Sequence, residues 1–436
     1  MAAANVYMRY RDRPANYSED DDEECEDMFD FVTLLAITYL SKLSTRKKKT
    51  KRKKRFWIQP SLKQRPMKTQ QTTTNDAPNL ESSGTNFSSE KFHMSTETFL
   101  EIAAKIKPFM ISRKSKRPDR ITDLHRLAIT LDFLANSIQQ KHLAQNHHIS
   151  KQVLGVILDE VCLAIINGLK QEVTPVMNEE NWLQVARDFN EVWNFPHCLG
   201  AINGKYVDIE YPRNYQTVFK SASRILVTGV ADSHYRFIHF DVTTCDIQEN
   251  GVDFPSTSFG KRLFSTDNVL GLPGNQQYGG KYNLPFVYIA DDAYPLSTHV
   301  IKPFHSGDRE LSKEETIFNR RLHHAKLSVD NAFGILASKW RCLSKRLVLK
   351  PDRAKLIVKA CCVLHNYLMT QNTYLDYCPL QFADYNDQGN LINGKWRSDS
   401  SSNAMLNSQV GFDTLMDPQD DSAIETRQIL MESFSR

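Results

Sequence analysis

The chain has 436 residues, a net charge of +4 and an apolar share of 41%, ordinary values for a globular protein able to bury a real core in roughly two to three domains. Its apolar runs fall short of the roughly 18 to 20 residues that cross a bilayer, and its start has no charged-then-apolar leader pattern, so neither membrane insertion nor secretion is expected. Eight scattered cysteines include the adjacent Cys361 and Cys362 but no Cys-x-x-Cys pair, which argues against a zinc cluster and for reduced thiols inside a cell.

From the N-terminus, an acidic run at residues 18–27 gives way to apolar residues at helical spacing, Phe29, Val32, Leu35, Ile37, Tyr39 and Leu40. A dense basic block follows: Arg46, Lys47, Lys48, Lys49, Lys51, Arg52, Lys53, Lys54 and Arg55. It reads as a nuclear localisation signal able to neutralise phosphates, the alternative being a solvated charge run. The expected location is the nucleus, with the cytoplasm also open. Residues 60–92, rich in Ser, Thr, Asn and Gln, predict a disordered linker between an N-terminal segment, 1–59, and a helical domain, 93–192.

Ser95 stands as an N-cap before Phe99, Ile102, Ile106 and Phe109, and the basic cluster 113–120 follows. Helical spacing resumes over residues 124–134, 138–143 and 150–169. The order helix, polar break near Asn136, helix, Ser150 cap, helix resembles a helix-turn-helix, with Gln139, Lys141, Lys151 and Gln152 as candidate DNA contacts. A bundle that only packs against its neighbour fits the same spacing.

Beyond Trp193 the character changes. The runs LGAINGKYVDIEY, SRILVTGVADSHYRFIHFDVT and PFVYIADDAY are β-branched and aromatic and predict strands, whereas residues 314–339 and 353–369 return to helical spacing. Taken alone, Asn203-Gly204 between apolar runs is a two-residue hairpin signal. Residues 371–436 form a mostly polar tail with a terminal helix over 422–434 and no assigned role.

Four motifs stand in one order: WNFPHCLGAINGKYVDI, ADDAYPL, FNRRLHHAKLSVDNAFGILASKWR and KACCVLHNYLM. Together they resemble those of Harbinger-type DNA transposases and their domesticated relatives, over about residues 56–369. The resemblance implies an α/β fold: a ribonuclease H-like mixed sheet with flanking helices over 193–370, preceded by the small all-α, helix-turn-helix-like domain. It also implies DNA as substrate, Mg²⁺ or Mn²⁺ as cofactor, and a separate Myb-like DNA-binding protein as partner. Three metal-binding acids are implied on a first strand, at a later strand end and on a helix. In this chain those positions hold Asn203 directly after Gly-Ala-Ile, Asp291 three residues before Tyr294, and Asp330 ahead of Ala-Phe-Gly.

Two-metal catalysis needs negative oxygens around two ions roughly 3.5 to 4 Å apart. The Asn203 amide supplies an oxygen but no charge. At an effective dielectric near 20, one unit charge about 4 Å from another is worth roughly 4 kcal/mol, and about 1.4 kcal/mol is tenfold in rate, so the expectation is weak or absent cleavage. Asp208 lies on the opposite face of an alternating strand, leaving Asp292, Asp246 and Asp253 as substitutes. Asp330 replaces the usual Glu with a shorter reach, and Glu249-Asn250-Gly251 stands where relatives carry a Ser-Asp-Gly-like element. Lys205 is a candidate for the metal or phosphate side of the site. The pairs His147-His148 and His323-His324 read as solvated or base-contacting, while Cys361, Cys362, His365 and Asn366 read as helix-packing residues.

Overall fold

Side-chain caps set where several of the helices begin in the computed structural model, which describes residues 89–111, 121–174, 177–211, 223–246, 254–265, 267–306, 309–387, 390–398 and 421–434. Helix α1 (Ser89–Phe92) brings Phe92 onto Phe99 with ring centroids 6.4 Å apart, so helical structure begins inside the segment expected to be linker. Helix α2 (Thr96–Ile106) starts where Ser95 Oγ accepts the Thr98 N–H at 3.2 Å. Helix α3 (Asp123–Asn136) stops at Ser137, which turns left-handed with φ 51°, and α4 (Gln140–Asn146) starts two residues later than its apolar spacing suggested. Ser150 caps α5 (Lys151–Val173), its Oγ accepting the Val153 N–H at 3.2 Å. Each such cap contributes about 1 kcal/mol by satisfying an otherwise orphaned donor.

Helix α5 corrects an expectation from composition, because it is long and apolar enough to cross a membrane by length and hydropathy. In the fold 56% of its apolar window is buried, and it packs along α9 (Pro351–Thr370). Two ion pairs tie it in place: Glu160 meets Arg126 of α3 in a buried pair, and Arg353 of α9 grips the more exposed Asp159, with one contact at 2.6 Å. Helix α6 (Glu179–Trp193) buries Trp182, Ala186, Phe189 and Trp193, an i, i+4, i+7, i+11 stripe, so one apolar edge faces the sheet.

The five-stranded sheet has the order β3-β2-β1-β6-β7. Strands β1 (Cys198–Asp208), β2 (Ser223–Ala231) and β3 (Phe237–Asp246) are antiparallel neighbours. After helix α7 (Ser258–Leu263) and the small hairpin β4 (Gln276–Tyr278) and β5 (Tyr282–Leu284), strand β6 (Val287–Ile289) runs parallel to β1, and β7 (Val300–Ile301) parallel to β6. This mixed sheet flanked by helices is consistent with a ribonuclease H-like fold. The hairpin reading of Asn203-Gly204 is overturned: Asn203 pairs with Gly229 and Gly204 with Thr228 in the middle of β1. An Asn-Gly pair favours a tight turn locally, but here it lies within a central strand that is mostly buried, and burial overrides turn propensity. The turn comes later, at Asp232, whose Oδ1 accepts the His234 and Arg236 N–H groups at 2.9 Å each.

One face of the sheet, with Ile202, Leu226, Val230 and Tyr288, packs on α6 and α7. The other face meets α8 (Lys313–Lys339), which Ser312 and Glu315 open with a capping box, and α9. Gly229 is required there, since a Cβ would lie 2.7 Å from the Phe237 ring and 3.1 Å from Phe333.

The polar tail beyond residue 370 is part of this packing. Helix α10 (Tyr374–Tyr377) packs on α9, the hairpin β8 (Tyr385–Asp387) and β9 (Asn390–Ile392) follows, and the turn Lys395–Ser398 packs on α8. Trp396 lies over Gly334, where a Cβ would come within 2.4 Å of the ring, and donates its Nε1–H to Asn331 Oδ1 at 2.8 Å. Helix α11 (Asp421–Phe434) places Phe434 against Phe195 and Phe318, with centroids 5.3 and 5.8 Å away.

Candidate nuclease-like site

Asn203 touches Asp330, and a shared lysine neighbour links Asp330 to Asp291. Asn203 sits in the middle of β1 on the face turned to α8, and its side chain is 6% exposed. Its Nδ2 donates to Asp330 Oδ1 at 2.7 Å, while its Oδ1 accepts the Gly204 N–H at 2.8 Å. Asp291 follows the end of β6, where its Oδ1 accepts the Ala293 N–H at 3.2 Å and so fixes the turn that carries it. Asp330 projects from the middle of α8. A central strand, the end of a parallel neighbour and a helix packed across them thus bring together residues far apart in the chain.

The group that joins them is a lysine that motif reasoning passed over. Lys326 stands one helical turn before Asp330, and its Nζ lies 3.5 Å from Asp330 Oδ2 and 3.3 Å from Asp291 Oδ2. Its side chain is only 12% exposed. Burial alone would pull its ammonium below the ordinary lysine range, but Asp330 and Asp291 more than offset this and hold its pKa above that range. Lys205, two residues beyond Asn203 and on the same face of β1, is pulled down by burial, with Asp330 and Asp291 opposing and Lys326 adding to the fall. Arg397 also reaches the field of Asp330, although its guanidinium is engaged with Asp384 at 2.6 Å. The sequence held one local signal for Lys326, its i, i+4 spacing from Asp330; Asp384 and Arg397 lie in the tail and had none.

The donor set does not fit a two-metal centre. Two carboxylates and a neutral amide face an ammonium already paired to both acids, and no cluster of three or more His, Cys, Asp or Glu able to hold an ion occurs among the described residues. Of the substitutes weighed from sequence, the two whose side chains are described, Asp208 and Asp292, do not join the cluster. Asp208 pairs with Arg224 at 3.0 Å from the far face of β1, and Asp292 is exposed in the turn after β6. Asp246 ends β3 without a described side chain, and Asp253 with residues 249–251 lies outside the described residues.

Among candidate DNA contacts, Gln139, Lys141, Lys151 and Gln152 are all exposed around the starts of α4 and α5. The basic block from Arg46 to Arg55 and the cluster 113–120 lie outside the described residues. His147 bonds Asp132 and His125, and His324 packs edge-on to Trp193. His365 bonds the Tyr235 carbonyl at 2.8 Å, and Asn366 ties α9 to both Phe237 and Val173. Cys361 and Cys362 are fully buried, with Cys361 Sγ 3.8 Å from Cys342 Sγ. A groove of about 570 Å³ along Arg187, His197, Tyr278 and Arg321 is lined by none of the three site residues.

A family model described as DDE superfamily endonuclease matches residues 276–366. The match runs from β4 into α9 and contains Asp291, Lys326 and Asp330, whereas Asn203 lies before it. Endonucleases of that superfamily usually work with divalent metal ions. No curated protein and no solved structure matches the chain.

Proposed function

We propose that this chain is a nuclease-like protein derived from a Harbinger-type transposase, which engages DNA in the nucleus and cleaves it weakly or not at all. The observation that carries the reading is the fate of the acid triad. Its first position offers a hydrogen-bond donor to the third, and its second and third positions share a lysine. Two dications held by the site would have to displace that ammonium and would still lack the charge of the first acid. The match over residues 276–366 supports descent from a DDE endonuclease, and the four motifs support the Harbinger subtype. The basic block from Arg46 to Arg55 supports nuclear entry and phosphate contact, and exposed Lys141 and Lys151 support contact through the helical segment. A Myb-like DNA-binding protein is the partner this reading implies.

The test has two arms on the full-length protein. Retention of duplex DNA should fall steeply between about 50 and 200 mM salt and be unchanged by chelator. With Mg²⁺ or Mn²⁺, nicking should equal that of Asp291→Ala. Absence of retention at low salt would refute DNA engagement. Nicking that Asp291→Ala abolishes would establish the second reading, an active divalent-metal endonuclease, which the convergence of Asp291 and Asp330 favours.

A further inference from the structure

We infer that Lys326 is the resident cation of this pocket: its ammonium pairs Asp291 with Asp330, holds the constellation together without metal, and closes it to Mg²⁺ and Mn²⁺. The inference rests on the preceding reading only for the choice of pocket. Every side-chain oxygen of the three residues already accepts a hydrogen bond or ion pair from the protein. Asp291 Oδ1 takes the Ala293 N–H at 3.2 Å and its Oδ2 faces Lys326 at 3.3 Å. Asp330 Oδ1 takes the Asn203 amide at 2.7 Å and its Oδ2 faces Lys326 at 3.5 Å. Asn203 Oδ1 takes the Gly204 N–H at 2.8 Å.

The charges balance as well. Among the described residues, Lys205, Lys326 and Arg397 stand against Asp291, Asp330 and Asp384. A dication entering this set would meet an ammonium within roughly 4 Å of each acid it sought, and like charges at that distance repel strongly at low dielectric. An ammonium also differs from a metal ion in what it can do. It offers three donors and no vacant orbital, so it can neutralise the two acids and hydrogen-bond a water, but cannot coordinate that water's oxygen and acidify it as a metal ion does. The substitution at Asn203 and the lysine on α8 thus act together. One removes a negative ligand, and the other supplies the positive charge that the remaining two acids need.

Binding of Mn²⁺ to full-length protein, followed without DNA by loss of the free-ion electron paramagnetic resonance signal, tests this separately from DNA retention. The wild type should show no saturable site that Asp291→Asn removes. The double variant Asn203→Asp with Lys326→Met, folded by circular dichroism, should bind Mn²⁺ at least about tenfold more tightly than wild type, and Asp291→Asn on that background should abolish the gain. A wild-type site lost in Asp291→Asn, or a folded double variant no tighter than wild type, would overturn the inference. Should the double variant not fold, the melting temperature of the wild type decides. No rise with Mn²⁺ supports the inference, and a rise that Asp291→Asn removes refutes it.

Discussion

Restoring the missing acid is the most direct perturbation of this site. In Asn203→Asp a carboxylate oxygen takes the place of Nδ2, 2.7 Å from Asp330 Oδ1 in a position 6% exposed. Two unit charges at about that separation repel by roughly 6 kcal/mol at an effective dielectric near 20. The lost hydrogen bond to a charged acceptor adds about 1.5 to 3 kcal/mol. Asp330 is 22% exposed and Lys326 stands beside it, so solvent and the ammonium offset part of this sum. A net destabilisation of about 3 kcal/mol at pH 7 is expected. Two carboxylates in such contact share a proton, which raises one folded-state pKa above its unfolded value. The native state then binds more protons than the unfolded chain at intermediate pH, so the deficit is largest at neutral pH and shrinks on acidification. Urea unfolding of wild type and variant at pH 7 and about pH 5 measures both effects. A variant within about 0.5 kcal/mol of wild type at pH 7 would show that the Asn203 amide does not hold Asp330.

Three further outcomes follow from the packing. Burial holds His239 and His365 at about 4, below their ordinary 6.5, so the unfolded chain takes up these protons first. Stability should therefore fall as pH drops from about 6.5 to 4, by on the order of 3 kcal/mol per histidine, with His365→Gln removing part of that slope in urea titrations. Gly334→Ala drives a methyl into the Trp396 ring. It should destabilise the fold by about 1 to 3 kcal/mol, with a change in tryptophan fluorescence that Gly155→Ala does not produce. Arg126→Ala removes the counter-charge of Glu160 from a pair whose side chains are each 3% exposed while the Ile111 N–H still bonds that carboxylate at 3.0 Å, so a loss of about 3 to 5 kcal/mol is expected. The apolar pair Arg126→Met with Glu160→Leu should recover most of it in thermal melts.

Helix starts were readable from sequence because a cap is a local event. Ser95 and Ser150 each bond an amide three residues ahead, and nothing distant is needed. Strand runs after Trp193 were readable for a similar reason, since β-branched and aromatic segments announce a half-buried pleated surface. The three site positions came from motif order, which fixes identity but says nothing of distance. Missed features were non-local. Trp396 over Gly334 joins the tail to α8, and a polar composition around Trp396 concealed that it completes the core.

The amino-acid order by itself determined the capped helices and the strand-forming runs after Trp193, the absence of a negative charge at position 203 and the spacing that puts Lys326 one turn before Asp330. Tertiary structure alone decided three matters. Asn203-Gly204 is strand because Gly229 and Thr228 of β2 pair with it in a buried stretch of β1; α5 is a core helix because α9 and α3 cover it; and Lys326 is a shared counter-ion because the sheet delivers Asp291 to the same helix. Each depends on which surfaces meet, and burial and charge act through the distances that such meetings create.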